Sequence, residues 1–92
     1  MARLSTKDMK RVNFSIKLEA NNEVYVAGTF NKWNPRKHRL KYRDGCYSTS
    51  IRLESGRHEY KFVINDAWCV DNECPELAPD GHGGMNSIVG VE

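Results

Sequence analysis

HEYKFVINDAW, residues 58–68, is the stretch on which the reading of the whole chain turns. Tyr60, Phe62 and Ile64 fall on one parity and Lys61 and Val63 on the other, a period of two that marks a strand with one face in a core. Asn65-Asp66 supplies turn residues, and residues 67–70 resume as a short strand.

The same alternation recurs outward in both directions. Residues 11–18 place Val12, Phe14, Ile16 and Leu18 against Asn13, Ser15 and Lys17. Asn21-Asn22 then turns the chain, and Val24 and Val26 alternate with Tyr25 and Ala27 up to Gly28, which reads as a hairpin with the first strand. FNKWNPRKH is polar, contains Pro35 and reads as a loop. Residues 40–42 form a short strand ended by the tight-turn pair Asp44-Gly45. Residues 46–53 put Tyr47, Thr49, Ile51 and Leu53 on one side, and Ser55-Gly56 turns the chain again. Residues 71–84, rich in Pro, Gly and Asp, read as one long surface loop, and residues 86–91 as the last strand. Short strands at close intervals without an amphipathic helix predict an all-β antiparallel sandwich of about seven strands. Residues 1–10 are expected to be a flexible basic segment and residues 11–92 the domain.

Ninety-two residues suffice for one domain and fall short of the roughly 200 or more that a large catalytic barrel requires. No apolar run approaches the roughly 20 residues of a membrane span, and the N-terminus lacks the apolar segment of a secretory signal. Three cysteines, an odd number without CxxC spacing, are expected to be reduced thiols, with a Cys69–Cys74 disulfide as the alternative. A cytoplasmic protein without a membrane partner is the expectation. Residues 1–46 carry 11 Lys/Arg against 4 Asp/Glu, net +7, and residues 47–92 carry 3 against 8, net −5. Six cations (Lys32, Arg36, Lys37, Arg39, Lys41 and Arg43) fall within twelve positions, a cluster able to hold phosphate, although charge runs are more often a solvated face. Basic side chains beside Trp33 and Tyr42 suggest nucleic acid as a rival ligand, which the acidic second half of the chain disfavours.

Trp33 and Trp68 each follow a turn, and neither sits inside a clean apolar alternation. A lone tryptophan in such a place most often covers the rim of a core. Two on neighbouring turns fit a more specific use. A glucose ring has a comparatively apolar C–H face and an equator of hydroxyls, so a rigid indole and a fringe of hydrogen-bonding groups suit it. Lys61, on the parity opposite Tyr60 and Phe62, supplies a donor, and Asn86 both a donor and an acceptor. A Cys69/His82/Asp71 nucleophile arrangement lacks anything to orient a base, and a metal at Cys69, Cys74 and His82 lacks a fourth ligand. The expectation is therefore no enzyme, no metal and no cofactor.

VYVAGTFNKW, EYKFVINDAW and GGMNSIVGV, in this order and spacing, resemble the glycogen-binding carbohydrate-binding module of the AMP-activated protein kinase β subunit and of the N-terminus of isoamylases and branching enzymes. The resemblance runs from about Val12 to Val91. It implies an immunoglobulin-like early-set sandwich that binds glycogen, starch or malto-oligosaccharides, with a glucan-active enzyme or kinase subunit as a second partner. It also implies that Trp33, Lys61, Trp68 and Asn86 contact sugar. In the loop before the last strand the kinase modules carry a leucine and a threonine where this chain has His82 and Gly84, so His82 is a candidate for part of the leucine's contact. A protein–protein interaction module with a vestigial sugar site is the alternative.

Overall fold

The computed structural model describes residues 9–92, which form nine strands and a single 3-10 turn at Thr29–Asn31. The strands are β1 (Met9–Lys17), β2 (Val24–Gly28), β3 (His38–Arg39), β4 (Lys41–Arg43), β5 (Cys46–Glu54), β6 (Gly56–Ile64), β7 (Ala67–Cys69), β8 (Leu77–Pro79) and β9 (Met85–Val91). They make two antiparallel sheets, one in the order β1-β5-β4 and the other β3-β2-β6-β9-β8, with β7 also paired to β6. This is the all-β sandwich expected from strand parity. Of the segment expected to be flexible, residues 1–8 lie outside the described residues. Met9 and Lys10 open β1, opposite Glu54 and Leu53.

Three expectations require correction. β1 does not form a hairpin with β2: it pairs with β5 along its whole length, while β2 pairs with β3 and β6 in the other sheet. Both strands bury their odd or even apolar set, and a sandwich satisfies both by facing them across the core rather than side by side. Tyr47 holds the crossing, its buried hydroxyl donating to the Glu19 carbonyl at 2.7 Å and accepting from the Asn22 amide at 3.0 Å. The single strand expected at residues 40–42 is two short ones, because the chain changes sheets at Leu40. That side chain is buried in the core and its amide donates to the Val24 carbonyl at 2.8 Å. Finally, the loop expected over residues 71–84 contains β8, where Leu77, Ala78 and Pro79 pair with Ser87, Asn86 and Met85. As an edge strand β8 has one neighbour, and an edge is where a strand tolerates proline.

Phe14, Val24, Val26, Leu40, Tyr47, Leu53, Tyr60, Phe62 and Val91 close the core between the sheets. Phe14 and Tyr60 meet nearly edge-on with centroids 4.9 Å apart, and Tyr60 meets Phe62 at 5.9 Å. The Tyr60 hydroxyl donates to Asp71 Oδ2 at 2.8 Å, so its buried polar end is satisfied. Burial, and then the Asp71 carboxylate, hold that phenol well above its ordinary titration range. The three cysteines are unpaired thiols.

Gly28 ends β2 where space is the constraint. A Cβ there would lie 2.5 Å from the Glu59 carbonyl oxygen and 2.6 Å from the Phe30 ring. Gly90, by contrast, faces open space.

Two stability measurements follow from this packing. Phe62→Ala, which empties a fully buried position, is expected to cost about 3–5 kcal/mol in denaturant melts. Gly28→Ala is expected to cost about 1–3 kcal/mol through overpacking, with Gly90→Ala within about 1 kcal/mol of neutral. Equal losses at the two glycines would contradict the contact assigned to Gly28.

Candidate functional site

Strand β6 sets the site because its two faces have different fates. Tyr60 and Phe62 point into the core, while Glu59, Lys61 and Val63 lie on the outer face of the larger sheet. One edge of β6 is paired with β2, where Ala27 lies opposite Lys61. The other edge is shared: β9 pairs with it as far as Tyr60, and β7 takes over from Phe62. Lys61 sits at the changeover. Trp68 lies opposite Val63 on one side of it, and Asn86 lies one step past Ser87, the partner of Tyr60, on the other.

Trp68 is held by the turn that separates β6 from β7. Asn65 and Asp66 both take left-handed backbone, φ 50° and 69°, the pair of conformations that a two-residue hairpin turn demands. The indole is 47% exposed. Trp33 arrives by another route. After the 3-10 turn, Lys32 and Trp33 are both left-handed, φ 56° and 57°, and the Trp33 amide donates to the Gly28 carbonyl at 2.9 Å. Left-handed backbone in a residue as bulky as tryptophan costs about 1–2 kcal/mol and needs support.

Asn31 provides it. Its buried side chain accepts from the Gly28 amide at 3.0 Å, donates to the Val26 carbonyl at 3.1 Å and lies 3.0 Å from His38 Nδ1. Arg36 joins the two tryptophan turns through a 2.6 Å ion pair with Asp66, both side chains largely exposed. The indole centroids consequently lie 6.4 Å apart with the ring planes at 45°. Trp33 is half-buried.

The far wall is the segment from Asp80 to Gly84. Asp80 Oδ1 accepts from the amides of His82 at 2.7 Å and Gly84 at 3.0 Å, and Oδ2 receives Lys61 Nζ at 2.7 Å. Both partners of that ion pair are mostly buried, with side-chain exposures of 18% and 11%. The Lys61 bond first, and then the two amides, hold the Asp80 carboxyl well below the usual carboxylate range. Gly84 makes this seating possible, since a Cβ there would lie 2.7 Å from Asp80 Oδ2. At this position, where the sequence departs from the pattern it resembles, the glycine leaves room for a carboxylate that locks the loop onto Lys61. Asn86, itself buried, donates from Nδ2 to Glu59 Oε1 at 2.9 Å.

All five residues singled out in the sequence line one groove of about 600 Å³: Trp33, Lys61, Trp68, His82 and Asn86. His82 is exposed at its rim. Thr29, Glu59 and Asp80 complete the lining and were not anticipated. Glu59 carried a usable signal, since it shares parity with Lys61. Asp80 precedes a run of glycines, a pattern typical of a side chain that caps its own turn, but its pairing with Lys61 across 19 residues arises only in the fold.

Residues 11–92 match the family described as the glycogen recognition site of AMP-activated protein kinase. Among similar proteins, the 5′-AMP-activated protein kinase subunit beta of Schizosaccharomyces pombe is 32% identical over 69 residues, covering 75% of this chain and 22% of that protein. The chloroplastic Protein PTST homolog 2 of Arabidopsis thaliana is 31% identical over 61 residues, covering 66% and 12%. The human 5′-AMP-activated protein kinase subunit beta-2 is 27% identical over 74 residues, covering 80% and 26%. The chain thus spans about a quarter of the length of these relatives at most. With the match running from the third residue of β1 to the end of the chain, this protein belongs to the AMP-activated protein kinase glycogen-recognition family, a class of carbohydrate-binding modules rather than of enzymes.

Proposed function

We propose that the groove binds an α-glucan of the glycogen or starch type, with Trp33 and Trp68 as stacking platforms for successive glucose residues. The observation that supports this most directly is the convergence of both indoles, Lys61 and Asn86 on one open groove. An α-linked chain turns between one glucose and the next, so two platforms inclined to each other suit it better than coplanar ones.

Lys61 and Asn86 enter this reading as hydroxyl-orienting groups. An ammonium has three N–H donors and an amide nitrogen two, so the single bonds made to Asp80 and Glu59 leave further donors on each. The two carboxylates add acceptors beside those donors, a mixed fringe that suits hydroxyls, which both give and take. His82 on the rim is placed to flank the chain as it leaves the groove. An open polar site of this kind is expected to bind with a Kd between micromolar and millimolar, about −8 to −4 kcal/mol, and to gain by avidity on a particle with many chain ends. The relatives named as kinase β subunits support the reading that such a module anchors a kinase subunit on its glucan.

Calorimetric titration with maltoheptaose tests the reading. Trp68→Ala is expected to lower affinity about tenfold or more, equivalent to ~1.4 kcal/mol, while changing stability by less than about 0.5 kcal/mol, as for other surface changes. Trp33→Ala is expected to lose affinity similarly and to cost far less stability than Phe62→Ala. Stacking should hardly respond to salt, whereas phosphate neutralisation by a nucleic-acid site weakens steeply. Absence of heat at millimolar sugar would reject the glucan reading in favour of a protein-interaction module.

The loop lock gives a second test. A depressed carboxyl contributes its full stability above its unfolded pKa and loses it progressively down to the lower, folded value, where the folded state itself takes up the proton. The Gly84 amide resonance should therefore hold steady through the ordinary aspartate range, near about pH 4, and move only below it. In Lys61→Ala its midpoint should rise toward that ordinary value. A wild-type midpoint already there would contradict the lock.

A further inference from the structure

The groove does not end at Trp33. A second depression of about 610 Å³, lined in part by Lys32, Asn34, Pro35 and Lys37, has Trp33 as a wall in common with the groove. The two depressions differ in charge. The first contains two carboxylates, Glu59 and Asp80, with one ammonium, Lys61. The second contains two ammoniums, Lys32 and Lys37, and no carboxylate in its lining. Both lysines are exposed to solvent.

The flanking cations are already engaged elsewhere. Arg36 is paired with Asp66, and Arg36 and Arg39 each lie 5.9 Å from the centre of the Tyr25 ring. The positive field is felt next door. His38 is held below its ordinary pKa first by burial and then by the charge of Lys37. A sugar chain stacked on the indoles that continues past Trp33 therefore passes from a near-neutral, mildly acidic groove into a cationic one without leaving the surface.

We propose that this second depression is a subsite for a phosphate monoester carried on the glucan, so that the module prefers phosphorylated over neutral α-glucan. The proposal rests on the glucan reading above and adds a ligand class to it. Ammoniums serve here as point charges for a dianion. A phosphate ester suits the site because its charge is compact and sits on the rim of a sugar whose ring is already held by Trp33. A nucleic acid that continued along the first groove would, in contrast, have to lie against Glu59 and Asp80.

The test uses dextrins released from a phosphorylated starch, measured before and after phosphatase treatment so that length and branching are matched. Phosphorylated dextrin is expected to bind about five- to tenfold more tightly than its dephosphorylated counterpart, with the difference shrinking as salt rises. In the double variant Lys32→Gln/Lys37→Gln the two samples should bind alike, at the affinity of the neutral dextrin, and Lys32→Arg/Lys37→Arg should restore the preference. Neutral binding with no preference in the wild type, or a preference that survives in the glutamine variant, would overturn the phosphate subsite and leave the glucan reading standing. Failure of both samples to bind would overturn both. Inorganic phosphate that binds as tightly as the phosphorylated dextrin would assign the depression to free phosphate, and tighter binding of a single-stranded oligonucleotide would assign it to nucleic acid. Either result would overturn the proposal.

Discussion

Each strand of a sandwich has to bury one row of side chains, and the row it leaves outside is then fixed in position by what the inner row packs against. In β6 the inner row is Tyr60 and Phe62, clamped by Phe14 and the rest of the core. The outer row is Glu59, Lys61 and Val63. A one-residue slip in register would exchange the rows, removing a fully buried phenylalanine from the core and placing an ammonium there. The position of Lys61 is therefore determined by the same contacts that hold the fold. Its neighbours follow from how β9 and β7 divide one edge of the strand.

Around that fixed residue the groove is finished by segments that hold uncommon conformations. Two consecutive left-handed residues carry Trp33, and a buried asparagine holds them there. Two more shape the turn before Trp68. A carboxylate seated against a glycine and a lysine fixes the far wall. Strain of this kind persists only where surrounding bonds determine it, and its effect is to set the indoles at one distance and angle before any ligand arrives. A site so prepared loses little entropy on binding, which matters for a ligand that offers only stacking and solvent-competed hydrogen bonds.

Much of this was legible in the chain. The period of two located β1, β2, β5 and β6, and the dipeptides Asn65-Asp66 and Asp44-Gly45 marked turns that the fold contains. Trp33, Lys61, Trp68, His82 and Asn86 could be gathered into one site by parity and motif, and they do line one groove. What was not legible depends on partners distant in sequence. β8 is three residues ending in proline, inside a stretch whose composition reads as loop, and its pairing with β9 alone makes it a strand. Leu40 looks like the start of a strand, while its burial makes it the point where the chain changes sheets. The β1–β2 hairpin failed because adjacency in sequence is a weaker constraint than the need of two apolar faces to meet. Asp80 escaped notice since a carboxylate beside turn residues is ordinarily solvated, and only the closed fold brings it to Lys61; Glu59 shares the parity of Lys61, but its bond to Asn86 arises only in the fold.

The most direct measurement is the set of intermolecular nuclear Overhauser effects between maltoheptaose and this chain. The indole ring protons of both Trp33 and Trp68 should show cross-peaks to sugar C–H protons, on different glucose residues of one bound chain. Cross-peaks from neither indole in a saturated sample, or contacts only to the opposite sheet, would contradict the placement of the glucan on the outer face of β6.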